Sequence, residues 1–394
     1  MPKEQAAETF VELEADNQEA LIKAFSDNEL KEVLDELYLD DAVDIVEEMP
    51  ANVVRRILQN TDEATRKMIN EILNYPKDSA GSIMTIEYVN LKENMTVADA
   101  FQTIRRTGID KETIYSCYVT DQNRYLKGIV SAKGLLLSES DALISEIMND
   151  DVISVLTTDD REEAAQKLQM YDLLAMPVVD HENRLVGIIT IDDAIDVIEQ
   201  EATEDIEMMA AITPTDKPYL KTGVFETWWK RIPWLLLLMI SATFTSVIIN
   251  RYDTALATLG LAAFMPMLMG TGGNAGSQAS VAVIRALSLG EVEMGDILRI
   301  VWKELRVSIL CGVTMAVATF GKLLLIDRPT TMTAVVVSLT LVATIVTAKL
   351  VGCVLPVLAK RVGFDPAVMA SPFITTIVDA LSLIIYFDIA TAIL

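Results

Sequence analysis

The sequence has 394 residues, with 57 acidic side chains against 32 basic ones and a formal net charge of −25 at pH 7. This surplus of negative charge repels nucleic acid and anionic lipid headgroups, so it excludes DNA binding and favours divalent cations as ligands. The three cysteines, Cys117, Cys311 and Cys353, contain no C-x-x-C pair and indicate neither a disulfide framework nor a thiolate metal site.

Charge divides the chain into two halves. Residues 225–394 hold twelve Lys/Arg and ten Asp/Glu, net +2, whereas residues 1–224 hold 20 basic and 47 acidic residues, net −27. The first residues have no apolar stretch behind a basic start, so no cleavable signal is predicted and the acidic half is expected in the cytoplasm. A chain of this length is expected to be multidomain.

Residues 18–75 have the apolar periodicity of short amphipathic helices joined by Asp, Asn and Pro turns. The pattern predicts a small all-α N-terminal domain over residues 1–80. One of its helices opens at residues 39–44 with Leu-Asp-Asp-Ala-Val-Asp, and carboxylates at a helix start are ordinarily caps.

From Met84 onward the pattern changes to an internal repeat of strands and helices. In each copy an apolar strand meets an Asp-containing turn, and a second strand ends in Gly-Ile-Val-Ser at 128–131 or Gly-Ile-Ile-Thr at 187–190. This repeat resembles a tandem of CBS domains of α/β class, which are assigned to residues 81–145 and 146–203. Neither copy can bury both faces alone, so the two are expected to pack as a pair.

The CBS resemblance implies a nucleotide site. In that family a Ser/Thr-x-x-Asp after the last strand holds an adenosine ribose and phosphate. Thr190 and Asp193 have this spacing in the second copy, whereas Ser131 is followed by Gly134 in the first. ATP is therefore a candidate regulator at Thr190 and Asp193, and the alternatives for Asp193 are a helix cap and a metal contact.

The segment after the repeat is strongly acidic and is predicted to continue as a helix toward the first apolar run. Carboxylates at Asp193, Asp196 and around residue 200 recur at spacings of three and four, so they share a helix face and repel each other. Few Lys or Arg lie nearby, which favours a hard divalent ion such as Mg²⁺ bridging them. An acidic connecting helix is predicted over residues 204–227.

Five apolar stretches predict an all-α transmembrane domain over residues 228–394, because each approaches the roughly 20 residues that span a bilayer. Trp-Trp-Lys-Arg at 228–231 marks the interface before the first. The excess of Lys and Arg at the connections on one side places the N-terminus in the cytoplasm and, with five crossings, the C-terminus outside. The five predicted spans cover 232–249, 254–284, 305–326, 333–358 and 368–394.

Glycines are dense at residues 270–276 of the second predicted span, where Asn274 and Gln278 add amide oxygens. Approachable backbone at membrane depth is tolerated where protein or a water-filled path satisfies it. A pore lining is the favoured interpretation. The alternative is a tight helix crossing through small residues.

A polar stripe runs along the fifth predicted span, where Thr375, Asp379, Ser382 and Tyr386 recur at helical spacing. An acidic group at that depth indicates function. Its candidate partner is Lys349 in the fourth span, so either these two pair or Asp379 stays ionised for a passing cation. Two chains on a two-fold axis would bring two Asp379 carboxylates to one pore, where they could hold Mg²⁺ through its water shell.

The order of helical domain, CBS pair, acidic helix and five spans resembles the MgtE family of magnesium channels over almost the whole chain. The most specific motifs lie at residues 80–85, 201–205, 272–278, 365–367 and 375–380. The resemblance implies a homodimeric, Mg²⁺-selective uptake channel in the bacterial plasma (inner) membrane, with its pore between the second and fifth spans. It also implies that cytoplasmic Mg²⁺ closes the pore by bridging acidic faces.

On this chain the pore residues are expected to be Asp379, Asn274, Gly273, Gly276, Gln278, Thr375 and Thr376. The resemblance places the sensor carboxylates at Asp41, Asp44, Asp160, Glu162, Asp172, Asp193, Asp196, Glu201, Glu204 and Asp205. A solvated surface is the alternative explanation for single carboxylates among them. The helical domain is short for the family, so the closed state is expected to be less stable or to need more Mg²⁺.

Enzymatic functions find no support in the motifs. An intramembrane metalloprotease needs H-E-x-x-H, yet the sole histidine is His181, and neither a P-loop nor G-x-S-x-G occurs. Two other functions stay open. One is a non-conducting, membrane-anchored CBS sensor of nucleotide or divalent ions, and the other is an ion-coupled secondary magnesium exchanger.

Overall fold

A computed structural model describes two compact units, Met1–Glu199 and Gln200–Leu394. In the first unit, six short helices form the N-terminal domain, and their apolar faces share a core that includes Ile22, Leu30 and Ile57. These helices are α1 (Lys3–Val11), α2 (Ala15–Ala24), α3 (Asp27–Leu34), α4 (Leu39–Glu48), α5 (Ala51–Asn60) and α6 (Glu63–Ile72). The described residues are 3–215, 217, 219–252, 261–369 and 371–393.

Two three-stranded sheets with one topology follow, which confirms the predicted repeat. In each sheet the first strand pairs parallel with the second, and the second pairs antiparallel with the third. The strands are β1 (Tyr88–Leu91), β2 (Thr113–Thr120), β3 (Leu126–Ser131), β4 (Val155–Leu156), β5 (Ala175–Val179) and β6 (Leu185–Thr190). The helices among them are α7 (Val97–Thr107), α8 (Ala132–Leu137), α9 (Ile144–Ile147) and α10 (Arg161–Met170).

The two sheets pack as a pair through their hairpin turns. The Leu126 N–H donates to the Asn183 carbonyl at 3.0 Å, and the Leu185 N–H donates to the Arg124 carbonyl at 2.9 Å. Arg124 and Asn183 have φ values of 68° and 62°, so the two turns are alike in conformation as well as in pairing. The apolar side chains beneath the turns form one shared core, as expected for two copies that cannot bury both faces alone.

The helix after the last strand, α11 (Ile191–Met209), ends earlier than predicted. The described residues from Ala210 to Gly223 form turns and coil, so no continuous helix covers 204–227. Pro214 opposes a helix that runs through to residue 227, because proline cannot donate to a helical hydrogen bond and restricts the residue before it. Ala211 has a φ of 55°, a left-handed conformation that terminates helices.

The described part of the second unit contains five long helices, and their common core includes Leu341, Ile345 and Val378. They are α12 (Val224–Arg251), α13 (Met265–Ser288), α14 (Ile297–Lys322), α15 (Thr331–Val362) and α16 (Ser371–Ile393). Residues 253–260, where the second predicted span begins, lie outside the described residues.

Four segments of the described chain are long and apolar enough to cross a membrane, which is one fewer than the sequence predicts. The helix α13 is not among them, because its Gly, Thr, Asn, Ser and Gln residues lower its mean hydropathy. The four are Val224–Arg251, Met294–Asp327, Thr331–Val362 and Pro366–Ile393.

Glycines let α13 approach α15 to backbone contact and pack closely against side chains of α16. A Cβ added at Gly352 would collide with the Gly276 carbonyl oxygen, and one at Gly276 would lie 2.7 Å from Ile374 Cγ2. A Cβ at Gly272 would lie 2.7 Å from Thr344 Cγ2. Gly272 and Gly276 therefore form the tight helix crossing that small residues permit.

We expect Gly352→Ala to destabilise the second unit by about 1–3 kcal/mol, because the added methyl group must displace backbone atoms. The matched control is Gly321→Ala in α14, where nothing lies within 4 Å of an added Cβ. There alanine should be neutral or stabilise the helix by up to about 1 kcal/mol. Thermal unfolding of the detergent-solubilised chain measures both, and equal midpoints for the two variants would contradict the contact.

Candidate functional site

Carboxylates gather where the N-terminal domain meets the CBS pair. The first turns of α4 and α11 contribute aspartates, and the residues beside β1 and β2 contribute glutamates. Negative side chains are favoured at the positive end of a helix, which explains why both helices tolerate them there. This acidic cluster comprises Asp40, Asp41, Asp44, Glu87, Glu112, Asp192 and Asp193.

Glu87 joins the two domains, since its carboxylate accepts a hydrogen bond from the Leu39 N–H at the start of α4, at 3.0 Å. One carboxylate oxygen each from Asp40, Glu87 and Glu112 lies within 4.8 Å of the other two. Glu112 Oε2 is buried and has no hydrogen-bond partner among the described residues. Because Mg²⁺ takes oxygen ligands and keeps several waters, these three carboxylates fit a divalent cation held directly or through water.

Close packing makes the acidic cluster hard to ionise. Desolvation raises the pKa of Asp44 to about 7, and the charges of Asp193 and Asp41 add to the effect. Desolvation and neighbouring aspartates likewise raise the pKa of Glu112 to about 7. The pKa values of Asp41 and Asp193 rise to about 6, and that of Asp40 lies well above its usual range, again chiefly by desolvation. The assembled cluster therefore needs either protons or a bound cation near neutral pH.

Three residues expected from the sequence to bind the regulatory ion, Asp41, Asp44 and Asp193, come together in this cluster. Asp196 lies about one turn beyond Asp193 on α11. Desolvation raises its pKa, with help from the charges of Glu199 and Asp192.

Sequence reasoning missed Asp40, Glu87 and Glu112. Asp40 stands beside the predicted sensor residue Asp41, but carboxylates at a helix start are ordinarily caps. The two glutamates look like ordinary surface acids flanking strands. Helical periodicity does not show which surface the N-terminal helices dock on, so no local signal could have found this trio.

Three predicted sensor residues lie at or next to the ends of α10. The Asp160 carboxylate accepts a hydrogen bond from the Glu162 N–H at 2.8 Å and so caps α10. The Glu162 carboxylate accepts from Gln166 Nε2 at 3.0 Å. Asp172 follows α10 in a left-handed turn with a φ of 52°. Asp160 and Asp172 are not among the charges that shift the pKa values of the described acidic cluster.

The end of α11 belongs to the second unit. Asp205 accepts a hydrogen bond from Ser288 Oγ at 3.0 Å and is thereby tied to the end of α13. Desolvation raises the pKa of Asp205, the Ser288 bond lowers it, and the nearby charge of Asp365 raises it again. Glu201 and Glu204 precede Asp205 on the same helix.

The two side chains of the predicted nucleotide motif are hydrogen-bonded to each other. Thr190, the last residue of β6, donates from Oγ1 to Asp193 Oδ2 at 2.7 Å, and Thr190 is buried. Asp193 therefore serves the motif and the acidic cluster at once. A separate open cleft of ≈ 610 Å³ lies between the two hairpin turns, lined by Arg124, Tyr125 and Arg184 among others.

The predicted pore residues of α13 fall on two faces. Gly273 and Gly276 are buried, and a Cβ at Gly273 would lie 3.1 Å from Thr375 Cγ2 on α16. Asn274 and Gln278 are exposed and stand one turn apart. The structure thus assigns the glycines to packing and leaves the two amides at the surface of the single chain.

On α16, Asp379 is half-buried, and its Oδ1 has no hydrogen-bond partner among the described residues. Thr375 and Thr376, on the preceding turn, are half-buried too, and Thr376 Oγ1 donates to the Pro372 carbonyl at 3.1 Å. Asp379 and these two threonines therefore form a group of half-buried polar side chains on adjacent turns of α16.

The rest of the predicted stripe on α16 turns inward. Ser382 is buried and donates to the Val378 carbonyl at 2.6 Å. Tyr386 is fully buried, and its hydroxyl donates to the Leu261 carbonyl at 3.1 Å. These two groups are satisfied within the protein, so they do not extend a polar path beyond Asp379.

Lys349 pairs with a carboxylate other than Asp379. Its Nζ lies 3.7 Å from Glu304 Oε2 on α14, and both side chains are nearly buried. This pair removes the one positive partner that the sequence offered to Asp379. Breaking such a buried pair would leave a charge without compensation, a change that is strongly destabilising.

Three protein families match successive parts of the chain. The MgtE intracellular N domain matches residues 1–78, and the CBS domain matches residues 80–140 and 144–200. The MgtE divalent cation transporter family matches residues 265–389.

Curated relatives cover most or all of the chain. The magnesium transporter MgtE of Thermus thermophilus is 38% identical over 399 residues, spanning 100% of this chain and 88% of that protein. The magnesium transporter MgtE of Bacillus subtilis is 35% identical over 362 residues, spanning 90% and 78%.

Two similar solved structures each cover about half of the chain. One is the soluble part of a magnesium transporter, 36% identical over 51% of this chain and 80% of that chain, with a TM-score of 0.49. The other is the cytosolic domain of the Mg²⁺ channel MgtE in complex with ATP, 40% identical over 50% and 80%, with a TM-score of 0.48.

The raised pKa values of the acidic cluster predict a pH-dependent stability in Mg²⁺-free buffer. Because folding raises these pKa values, the cluster stabilises the fold below their ordinary values of about 4. That contribution is lost as the pH rises through 6 and 7. Thermal unfolding of the full chain should therefore occur at higher temperature at pH 5.5 than at pH 8, and Mg²⁺ should restore stability mainly at pH 8.

Asp40→Asn should raise the Mg²⁺-free stability at pH 8 and reduce the stabilisation by Mg²⁺, since it removes one crowded charge. Asp62→Asn is the matched control, because Asp62 only caps α6 and its pKa is lowered by Thr65 and Ala64. This control should leave the Mg²⁺ effect unchanged. Equal Mg²⁺ stabilisation of all three proteins would contradict ion binding at the cluster.

Proposed function

Because this chain belongs to the MgtE family of magnesium transporters, we propose that it is a Mg²⁺-selective uptake channel closed by Mg²⁺ binding to its acidic N-terminal half. Its apolar helices make it an integral membrane protein. The observation that carries the proposal is that the Asp379 carboxylate lies on an apolar helix without a positive partner in the described part of the chain. Its Oδ1 lacks a hydrogen-bond partner among the described residues, and Lys349 is paired elsewhere.

An acidic group in an apolar helix is costly unless it faces protein, water or an ion. Since Lys349 is bound to Glu304, a passing cation is the natural partner for Asp379. Mg²⁺ gives up its water reluctantly, so Asp379 would hold the hydrated ion through its first shell. Thr375 and Thr376 would contact the same waters one turn away.

The pore is proposed to form between two chains. The exposed amides of Asn274 and Gln278 are poor lipid contacts, and an interface with a second copy would give them polar surroundings. A two-fold axis beside α13 and α16 would bring two Asp379 carboxylates to one path. The homodimer therefore supplies the second half of the ion site, while the buried Gly273 and Gly276 let the helices approach.

We propose five membrane crossings, with α13 as the least apolar of them. Its small buried residues face α15 and α16, and its exposed amides would face the proposed second copy instead of lipid. With the basic residues concentrated on one side, the N-terminal half lies in the cytoplasm and the C-terminus lies outside.

Gating follows from repulsion in the acidic cluster. Bringing the carboxylates of α4 and α11 together without a cation is unfavourable, and each bound Mg²⁺ replaces repulsion by bridging. Mg²⁺ can shift the equilibrium between separated and docked carboxylates only by its extra affinity for the docked state. Moving the ratio of closed to open channels from 1:99 to 99:1 takes a difference in Mg²⁺ binding free energy of about 5.5 kcal/mol between the two states. Several weak sites together can supply this difference.

ATP is proposed as a regulator that acts through the second CBS copy. Thr190 and Asp193 have the required spacing, and Asp193 also belongs to the acidic cluster. A nucleotide at this motif would therefore alter the charge that Mg²⁺ senses.

The pore hypothesis predicts that Asp379→Ala abolishes Mg²⁺ influx into liposomes that contain a fluorescent indicator. Asp388→Ala is the matched control on the same helix, since Asp388 is exposed and accepts a hydrogen bond from Tyr252. We expect this control to retain at least half of the influx. Influx should not depend on Na⁺ or pH gradients, whereas dependence on either would identify a coupled exchanger. No influx through the intact dimer would favour a non-conducting sensor.

The gating hypothesis predicts that Asp44→Asn/Asp193→Asn raises the Mg²⁺ concentration for half-maximal closure severalfold, because two cluster carboxylates are lost. Channel recordings with defined Mg²⁺ on the cytoplasmic side measure this concentration. Asp160→Asn is the control, since Asp160 caps α10 and so tests the loss of a carboxylate with a local structural role. It should leave the concentration for half-maximal closure within twofold of that of the unaltered protein. A shift as large as that of the double variant would indicate that Asp160 is a sensor residue.

A further inference from the structure

A basic pocket of ≈ 380 Å³ lies where the coil after α11 meets the first turns of α12. Its lining combines basic side chains with hydroxyl groups, and neither the pore nor the Mg²⁺ sensor uses it. We define the basic pocket by Thr213, Thr215, Lys217, Thr227, Lys230 and Arg231.

Specific contacts hold the pocket in shape. The Thr213 N–H donates to the Lys230 carbonyl at 3.2 Å, and Lys230 Nζ donates to the Pro214 carbonyl at 2.7 Å. Trp234 Nε1 donates to Thr213 Oγ1 at 3.1 Å. Because an ammonium group has three donors, Lys230 retains donors for a ligand beyond its bond to Pro214.

The charges in the pocket do not cancel. Lys217 Nζ contacts both carboxylate oxygens of Glu226 at 3.1 Å, so these two charges balance each other. Glu207 also lines the pocket and accepts a hydrogen bond from the Thr215 N–H at 3.0 Å. Lys230 and the exposed Arg231 therefore leave one positive charge in excess of Glu207 among the described lining residues.

Large apolar side chains surround the pocket in sequence and stand exposed. Leu220 and Phe225 are 94% and 86% exposed, and Tyr219, Trp228 and Trp229 are largely exposed as well. Aromatic residues beside Lys and Arg at the end of an apolar helix are typical of the membrane interface. This placement puts the pocket at the depth of lipid headgroups.

We propose that the basic pocket binds the phosphate of an anionic phospholipid headgroup. Lys230 and Arg231 supply charge, the threonine hydroxyls supply hydrogen bonds, and the aromatic side chains contact the acyl chains. The acidic half of the chain repels such lipids, so the pocket is a local exception to the overall charge. A bound lipid would fix the coil that connects α11 to α12.

The experiment is native mass spectrometry of the full chain in detergent, titrated with phosphatidylglycerol or phosphatidylcholine. Each basic residue near anionic lipid should contribute about fivefold in Kd, which corresponds to about 1 kcal/mol. Lys230→Gln/Arg231→Gln should therefore weaken phosphatidylglycerol binding about 25-fold. Arg231→Gln alone should weaken it about fivefold, and it leaves the bond between Lys230 and Pro214 intact.

Two controls keep the result specific. Arg251→Gln removes a charge at the opposite end of α12 and should stay within twofold of the unaltered protein. Lys230→Arg retains the charge and should also stay within twofold. The binding does not require ion conduction, so a failed flux experiment leaves this test unaffected.

Equal phosphatidylglycerol affinity in the double variant and the unaltered protein would overturn the proposal. Phosphatidylcholine binding as tight as phosphatidylglycerol binding would overturn it too. Free phosphate shares the recognition chemistry, so inorganic phosphate is the third titrant. Displacement of phosphatidylglycerol by millimolar phosphate, with the same dependence on Lys230 and Arg231, would assign the pocket to a soluble anion instead of a lipid.

Discussion

Repulsion between like charges is the constraint on which the N-terminal half depends. The starts of α4 and α11 meet with their aspartates directed into one cluster, and Glu87 and Glu112 add two more charges. Helix ends lower the cost of each carboxylate but cannot remove the repulsion among several. Protons or divalent cations that neutralise the cluster therefore favour the docked arrangement. This is the feature through which the interface is proposed to respond to Mg²⁺.

The membrane half has a different constraint, because backbone must approach backbone. Gly276 and Gly352 remove the side chains that would separate α13 from α15, and Gly272 does the same beside Thr344. With the glycines used for packing, the polar groups available to an ion are the side chains around Asp379 and the exposed amides of α13. This division separates the helices' packing face from the face proposed to meet a second chain.

The sequence was informative where a pattern is local. Apolar periodicity predicted the N-terminal helices, and the internal repeat predicted the two sheets and their pairing. Pro214 carried a signal for the end of α11 that the predicted connecting helix ignored. Contacts between distant segments had no such signal, because periodicity shows that a face is buried and not what covers it. The approach of Glu87 to Leu39 and the pairing of Lys349 with Glu304 are of this kind.

The pair between Lys349 and Glu304 also constrains how the protein is made. Its two charges sit on α14 and α15, which are consecutive in the chain and pack closely together. A helix inserted alone would carry its charge without a partner, which is costly wherever that side chain meets lipid. Inserted together as a hairpin, the helices neutralise each other before either meets lipid. Insertion of the two helices as a pair would therefore be favoured over insertion of either helix alone.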